Sequence, residues 1–130
     1  MTAYLIVADI IALHEFIMHK TGYVPAPLRD AEGLESAAMR AHTAAYYERA
    51  DLIRQAAILA VGISQAQAFV DGNKRTALIA MDVFLRDNGH ACIGDDLVVT
   101  EHLECVAEEI DDRDGAIDRF EAWLRNRVRS

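Results

Sequence analysis

The residues best suited to chemistry lie in one short run, DGNKRTA at residues 71–77, where a long apolar helix pattern begins. Lys74 and Arg75 place two cations in the first turn of that helix, in a chain whose formal net charge is -8. The N-terminus of a helix is the positive end of its dipole, so cations oppose the local field there. The pattern therefore indicates a negatively charged partner from outside the chain.

The same run predicts how an anion would be bound. Gly72 can adopt backbone angles that point successive N–H groups into one concavity, and residues 73–75 supply the free amides of a first helical turn. Such a nest binds phosphate groups, and the fork of Arg75 and the charge of Lys74 suit phosphate oxygens. We predict a polyphosphate site at Gly72, Asn73, Lys74 and Arg75, the alternative being that the two cations are solvated surface charges.

Asp71 immediately precedes the glycine and allows two interpretations. Its carboxylate would lie near the bound phosphates, where it could act through Mg²⁺. An aspartate just before a helix is also a good N-cap, so capping and metal binding both stay open for Asp71. Phe69 is expected to be a core anchor beneath the loop, with no chemical role.

The elements that position this run are predicted to be helices. Apolar residues recur at three- and four-residue steps along most of the chain, and Asp30 and Asp51 are well placed to cap two of the helices. A connector after residue 89 has room for one extended pair of residues, and Arg125, Arg127 and Arg129 are expected to lie at a helix C-terminus. The predicted helices cover residues 8–20, 34–49, 51–67, 76–89, 97–110 and 115–128.

These elements predict an all-α single domain over residues 1–130, a bundle of about six helices with the third and fourth at its centre. A chain of 130 residues that is 52% hydrophobic can bury its core without disulfides or structural metal, so Cys92 and Cys105 are expected to be reduced thiols.

The acidic charge disfavours nucleic-acid and membrane-surface binding. No apolar stretch approaches the ~20 residues of a membrane span, and Asp9 interrupts any signal peptide, so a cytoplasmic location is expected.

At the level of motif, residues 69–77 resemble the core of the Fic/Doc family motif, H-x-F-x-(D/E/N)-(G/A)-N-(G/K)-R, and more narrowly its death-on-curing (Doc) branch. The likeness extends to LH at residues 13–14, LRD at 28–30, LESA at 34–37 and FLRDNG at 84–89. It covers nearly the whole chain, least securely beyond about residue 95.

The resemblance implies a six-helix domain that transfers part of a nucleoside triphosphate, with Mg²⁺, to a protein hydroxyl. Members with glycine at the position of Lys74 are typically nucleotidyl transferases. Doc-like members carry lysine there and are similar to kinases that move the γ-phosphoryl group of ATP to a threonine of elongation factor Tu. A bulky cation would crowd the space of an α-phosphate, which favours the kinase orientation. Doc toxins are neutralised by a small antitoxin whose C-terminal segment folds onto them, which implies a protein partner.

One position departs from the motif, because Gln67 stands where the family has its histidine. In the family that imidazole takes the proton of the attacking hydroxyl, which a carboxamide cannot do. Gln67 could still orient the hydroxyl. Three explanations stay open: a natural glutamine-bearing subgroup, an inactivating substitution, and a domain that has kept binding without catalysis.

The remaining histidines offer no replacement base on spacing alone. His42, His90 and His102 lie on other segments, and His14 and His19 miss the spacing of a metal pair, so ordinary partly buried histidines are expected. The leading prediction is a Doc-like transferase that uses Gln67, Asp71, Lys74 and Arg75. The alternatives are a catalytically silent Fic-fold binding module and a nucleotidyl (AMP) transferase.

Overall fold

A computed structural model describes residues 1–22, 27–92, 99, 101–103 and 112–129. Val99 and residues 101–103 are helical, and the prediction of an all-α bundle of about six helices is confirmed. The elements with defined bounds are α1 (Val7–Lys20), α2 (Ala31–Glu48), α3 (Leu52–Ala66), α4 (Asn73–Asp87), β1 (Ala91–Cys92), α5 (Arg113–Arg125) and β2 (Val128–Arg129).

Helix α3 lies at the centre of the bundle and packs against α2, α4 and α5. Its sequence is apolar on nearly every side, as expected of a helix that is surrounded by others. Ala56, Ala57 and Ala60 are fully buried together with the larger Val61 and Ile63, so small side chains let neighbouring helices approach closely. The loop that follows α3 is thereby attached to a helix that is buried along most of its length.

The two predicted helix caps are confirmed. The Asp30 carboxylate accepts a hydrogen bond from the Gly33 amide at 2.9 Å, and the Asp51 carboxylate accepts one from the Arg54 amide at 2.9 Å. Each satisfies one of the free N–H groups of a first helical turn. Hydrogen bonds from Arg125 also lower the pKa of Asp51, which ties the start of α3 to the last turn of α5.

The C-terminal helix is shorter than predicted. It ends at Arg125, and Val128 pairs with Cys92 in a two-stranded antiparallel sheet whose first strand is the predicted extended pair. The guanidinium of Arg127 lies 4.2 Å from the centroid of the Trp123 ring, a cation–π contact that draws the chain back over α5. The expectation that Arg127 and Arg129 extend the helix terminus is therefore wrong.

Some expectations fall on parts of the chain that lie outside the described residues. They are the connection at residues 23–26, most of the predicted helix over 97–110, the side chain of Cys92 and the whole of Cys105. Among the described helices, none is long and apolar enough to cross a bilayer.

Candidate functional site

Residues 67–72 connect α3 to α4, and a left-handed residue stands at each end of this loop. Gln67 follows α3 with φ 50°, and Gly72 precedes α4 with φ 81°. A Cβ atom on Gly72 would lie 3.1 Å from Met18 Sδ, so both the backbone angle and the packing favour glycine. The predicted role of Gly72 in shaping the loop agrees with this conformation.

The side chain of Asn73 holds the loop closed. Its Oδ1 accepts a hydrogen bond from the Phe69 amide at 3.0 Å, and its Nδ2 donates one to the Phe69 carbonyl at 2.8 Å. Asn73 is only 7% exposed, and these bonds satisfy two backbone groups that would otherwise be buried without partners. The side chain is thus directed inward, and a ligand outside the loop would meet the backbone N–H of Asn73.

A histidine lies directly beneath the loop. The ring of His14 stacks on Phe69 with centroids 3.8 Å apart and planes 8° from parallel. Its Nε2 lies 2.8 Å from the Asp71 carbonyl oxygen, and because a carbonyl can only accept, Nε2 carries the hydrogen. Phe69 is 1% exposed and is the predicted core anchor, whereas His14 was expected to be an ordinary histidine. The only sequence signal for its role was the LH pair of the family resemblance.

We expect His14→Phe to lower the free energy of unfolding by about 1 kcal/mol, because the ring stack on Phe69 is kept while the hydrogen bond to the Asp71 carbonyl is lost. Denaturant unfolding measures the change. His19→Phe, on the exposed face of the same helix, is the matched control and should leave stability unaltered. Equal losses of unfolding free energy in the two variants would show that the hydrogen bond to the Asp71 carbonyl does not stabilise the protein.

The segment before α2 holds the loop from its other side. The amides of Arg29 and Asp30 both donate to the Ala68 carbonyl, at 2.7 and 3.1 Å. Arg29 Nη2 also donates to the Gln67 carbonyl at 2.7 Å. The loop is therefore held in place by hydrogen bonds with neighbours on both sides.

Asp71 does not cap α4. The N-cap residue is Gly72, and no side chain caps this helix. The Asp71 carboxylate instead accepts a hydrogen bond from the Gly72 amide at 2.8 Å, which uses the N–H that precedes the helical turn. The capping interpretation of Asp71 is therefore wrong, and its exposed carboxylate faces solvent beside the first turn of α4.

Lys74 and Arg75 carry the charge of the site. Neither side chain forms an ion pair or hydrogen bond with any residue that the structure describes, and the first turn of α4 contains no acidic residue. The first amide of α4 with a backbone acceptor in the described chain is that of Thr76, which donates to the Gly72 carbonyl at 2.9 Å. Free amides and two uncompensated cations thus meet at one helix terminus, an arrangement that attracts anions.

Gln67 is folded back on the helix that it terminates. Its Nε2 donates to the Ser64 carbonyl at 2.7 Å, and its Oε1 lies 3.5 Å from Asn73 Nδ2. The side chain is exposed, so the amide stands at the edge of the loop where an incoming hydroxyl could reach it. A carboxamide has no group that could take a proton near neutral pH, so Gln67 could not act as a general base.

The other histidines are engaged away from the loop. His42 stacks on Tyr4 at 4.5 Å, and the Tyr4 hydroxyl donates to Gln55 in the first turn of α3, whereas the loop follows its last turn. His102 stacks on Trp123 at 4.4 Å, and burial together with Arg127 lowers its pKa. His42 and His102 are therefore both held in ring stacks outside the loop.

The Fic/DOC family model matches residues 4–85, the region that holds α1 to α4 and the whole loop. The match covers more than half of the chain, so the protein belongs to the Fic/DOC family. Its fold is therefore of the general type that carries out AMP or phosphoryl transfer. No curated protein matches the chain.

Proposed function

We propose that this protein is a Doc-like toxin of the cytoplasm that binds Mg-ATP at Gly72–Arg75 and transfers the γ-phosphoryl group to a hydroxyl of a protein target. The target class is a component of the translation machinery such as elongation factor Tu. The observation that carries the proposal is the pair Lys74 and Arg75, which have no acidic partner among the described residues and stand beside free helix amides.

Gln67 in the loop and residues 73–75 in the first turn of α4 each have a part in the proposed reaction. Arg75 would hold phosphate oxygens with its planar fork, Lys74 would neutralise developing charge, and the amides of residues 73–75 would orient the chain of phosphates. The hydroxyl oxygen attacks the γ-phosphorus, the bond to the β–γ bridging oxygen breaks, and ADP leaves while the hydroxyl proton passes to solvent. Gln67 would orient that hydroxyl and would not take its proton, so transfer would be slow.

The carboxylate of Asp71 is a suitable ligand for Mg²⁺. The Asp71 carboxylate is exposed beside the first turn of α4, and oxygen ligands are those that Mg²⁺ prefers. In the part of the chain that the structure describes, no group of three or more His, Cys, Asp or Glu side chains gathers around a common point. Asp71 would therefore hold the ion together with the phosphates. The bound ion would neutralise part of the phosphate charge.

Two protein partners belong to this proposal. One is the hydroxyl-bearing target, and the other is the C-terminal segment of a cognate antitoxin that would cover the site. Val70 is 59% exposed at the outer side of the loop and offers an apolar contact to either partner.

Incubation with elongation factor Tu and ATP labelled at either the α- or the γ-phosphate tests the proposal. Label from γ-ATP alone on the target supports phosphoryl transfer. Label from α-ATP would assign AMP transfer, the second candidate that the family fold allows. If neither label reaches the target, even after histidine is placed at residue 67, the protein is a silent binding module.

We expect Arg75→Ala to weaken ATP binding roughly 10- to 100-fold, because a charge-assisted hydrogen bond to phosphate contributes about 1.5–3 kcal/mol. The midpoint of thermal unfolding should not fall, since Arg75 has no partner within the described chain. Isothermal titration calorimetry measures the affinity. Arg86→Ala is the matched control, because Arg86 is an exposed arginine on the same helix that pairs with Asp82. Unchanged affinity in Arg75→Ala would show that the cation serves the surface only.

A further inference from the structure

A cavity of about 700 Å³ opens between α2, α3 and α5. None of residues 67–75, which form the loop and the first turn of α4, lines this cavity, so the cavity is separate from the proposed nucleotide site. Its volume falls in the range of roughly 300–1,000 Å³ that small-molecule sites occupy. Its lining includes three arginines and three apolar residues: Arg40, Arg54, Arg113, Ala44, Ile58 and Ile117.

Arg40 is the unusual member of this lining. Its Nη1 is buried and has no hydrogen-bond partner, and no ion pair involves Arg40 within the described residues. The atom is packed so closely on α3 that a Cβ added to Gly62 would lie 3.1 Å from it. Burial and the nearby charge of Arg113 both lower the pKa of Arg40. A half-buried cation beside a second cation destabilises the ligand-free protein, and a bound anion would relieve this.

Arg54 and Arg113, the other two arginines of the lining, differ in whether an acidic side chain pairs with them. Arg54 is already compensated by Asp118 and Glu121. Arg113 donates its Nε to the neutral Gln65 Oε1 at 3.2 Å and forms no ion pair with any described residue. The positive charge without an acidic partner therefore belongs to Arg40 and Arg113.

We propose that this cavity binds a small aliphatic carboxylic acid, with its carboxylate between Arg40 and Arg113 and its hydrocarbon part against Ala44, Ile58 and Ile117. Planar guanidinium groups bind carboxylates in bidentate fashion. The apolar lining lies alongside the arginines and suits a ligand with one charged end. Glu48 and Asp114, which also line the cavity, disfavour a dianion such as phosphate. The inference is independent of ATP binding and transfer.

Titration of ¹⁵N-labelled protein, observed at the arginine Nε–Hε signals, tests this assignment with hexanoate as the probe and hexanamide as its uncharged match. Saturable shifts of the Arg40 and Arg113 signals with hexanoate, and none with hexanamide, are expected. Equal shifts with hexanamide, or none with hexanoate, would overturn the proposal. Tighter binding of inorganic phosphate would overturn the carboxylate assignment, and tighter binding of acetyl-Glu-Leu-amide would assign the cavity to an acidic peptide instead of a free acid.

Arg40→Met gives a second, independent readout. The variant should weaken hexanoate binding at least roughly 10-fold, as expected when one charge-assisted contact is lost. It should also raise the melting temperature of the ligand-free protein, because a half-buried cation with no partner among the described residues is replaced by an apolar chain. Arg86→Met, on the surface of α4, is the control and should do neither. If Arg40→Met does not fold, Arg113→Gln takes its place, and unchanged hexanoate affinity in that variant refutes the site.

Discussion

Replacing Gln67 with histidine is expected to raise the rate of phosphoryl transfer about 10²- to 10⁴-fold, the usual contribution of a general base. The imidazole would occupy the exposed edge of the loop, where it can take the proton of the attacking hydroxyl. The scaffold should accept the change, because histidine is among the residues enriched at positive φ, and Gln67 has φ 50°. Single-turnover transfer from γ-labelled ATP measures the rate.

Gln65→His is the matched control for this experiment. Gln65 lies in the last turn of α3, as a second glutamine two residues before Gln67, and its Oε1 accepts a hydrogen bond from Arg113. A histidine at this position should leave the transfer rate unaltered. Equal rates for the wild type and Gln67→His, with ATP bound in both, would mean that the chain does not transfer a phosphoryl group by way of this loop.

Asn73→Ala is expected to lower the free energy of unfolding by about 2–6 kcal/mol and to abolish measurable ATP binding. The Phe69 amide and carbonyl would each lose a buried partner, at about 1–3 kcal/mol for each unsatisfied group. The free amides of the first turn of α4 would then lose their fixed orientation. Denaturant unfolding measures stability, and calorimetry at a temperature where the variant stays folded measures binding.

Asn88→Ala separates the two effects. The Asn88 side chain also bonds to backbone groups, donating to the Phe84 and Ala3 carbonyls, but it lies at the opposite end of α4. This variant should lose stability and keep its affinity for ATP. If Asn73→Ala retains ATP affinity while it is destabilised, the orientation of the loop is not set by Asn73.

The helices could be predicted because apolar spacing and capping aspartates are local signals. Asp30 and Asp51 start α2 and α3 as expected, and the family motif located the loop. The inward turn of Asn73 and the contact of His14 with Asp71 could not be predicted in the same way. Each is a bond between a side chain and the backbone, and the second joins residues 57 positions apart. Neither leaves a periodic pattern in the sequence.

Two predictions were wrong: the capping of α4 by Asp71 and the continuation of the C-terminal helix past Arg125. An aspartate before a helix predicts a cap, but the left-handed Gly72 moves the start of α4 one residue further, so that Asp71 meets the Gly72 amide. The helical pattern continues past Arg125, but the Trp123–Arg127 contact and the pairing of Val128 with Cys92 end the helix. At α4 the left-handed glycine overrides the preference for an aspartate cap, and at the C-terminus the strand pairing overrides the helical pattern.

In the loop and the first turn of α4, the buried residues that fix the shape differ from the accessible residues that carry polar groups. Phe69, Asn73 and Thr76 are buried and determine the shape, whereas Gln67 and residues 71, 74 and 75 are wholly or partly accessible. Lys74 and Arg75 have no partner among the described residues, so their substitution would leave the buried contacts intact. Gln67 differs, because it donates to the carbonyl of the buried Ser64. Single substitutions in evolution could therefore change the exposed polar groups beside the first turn of α4 while the buried residues keep the fold.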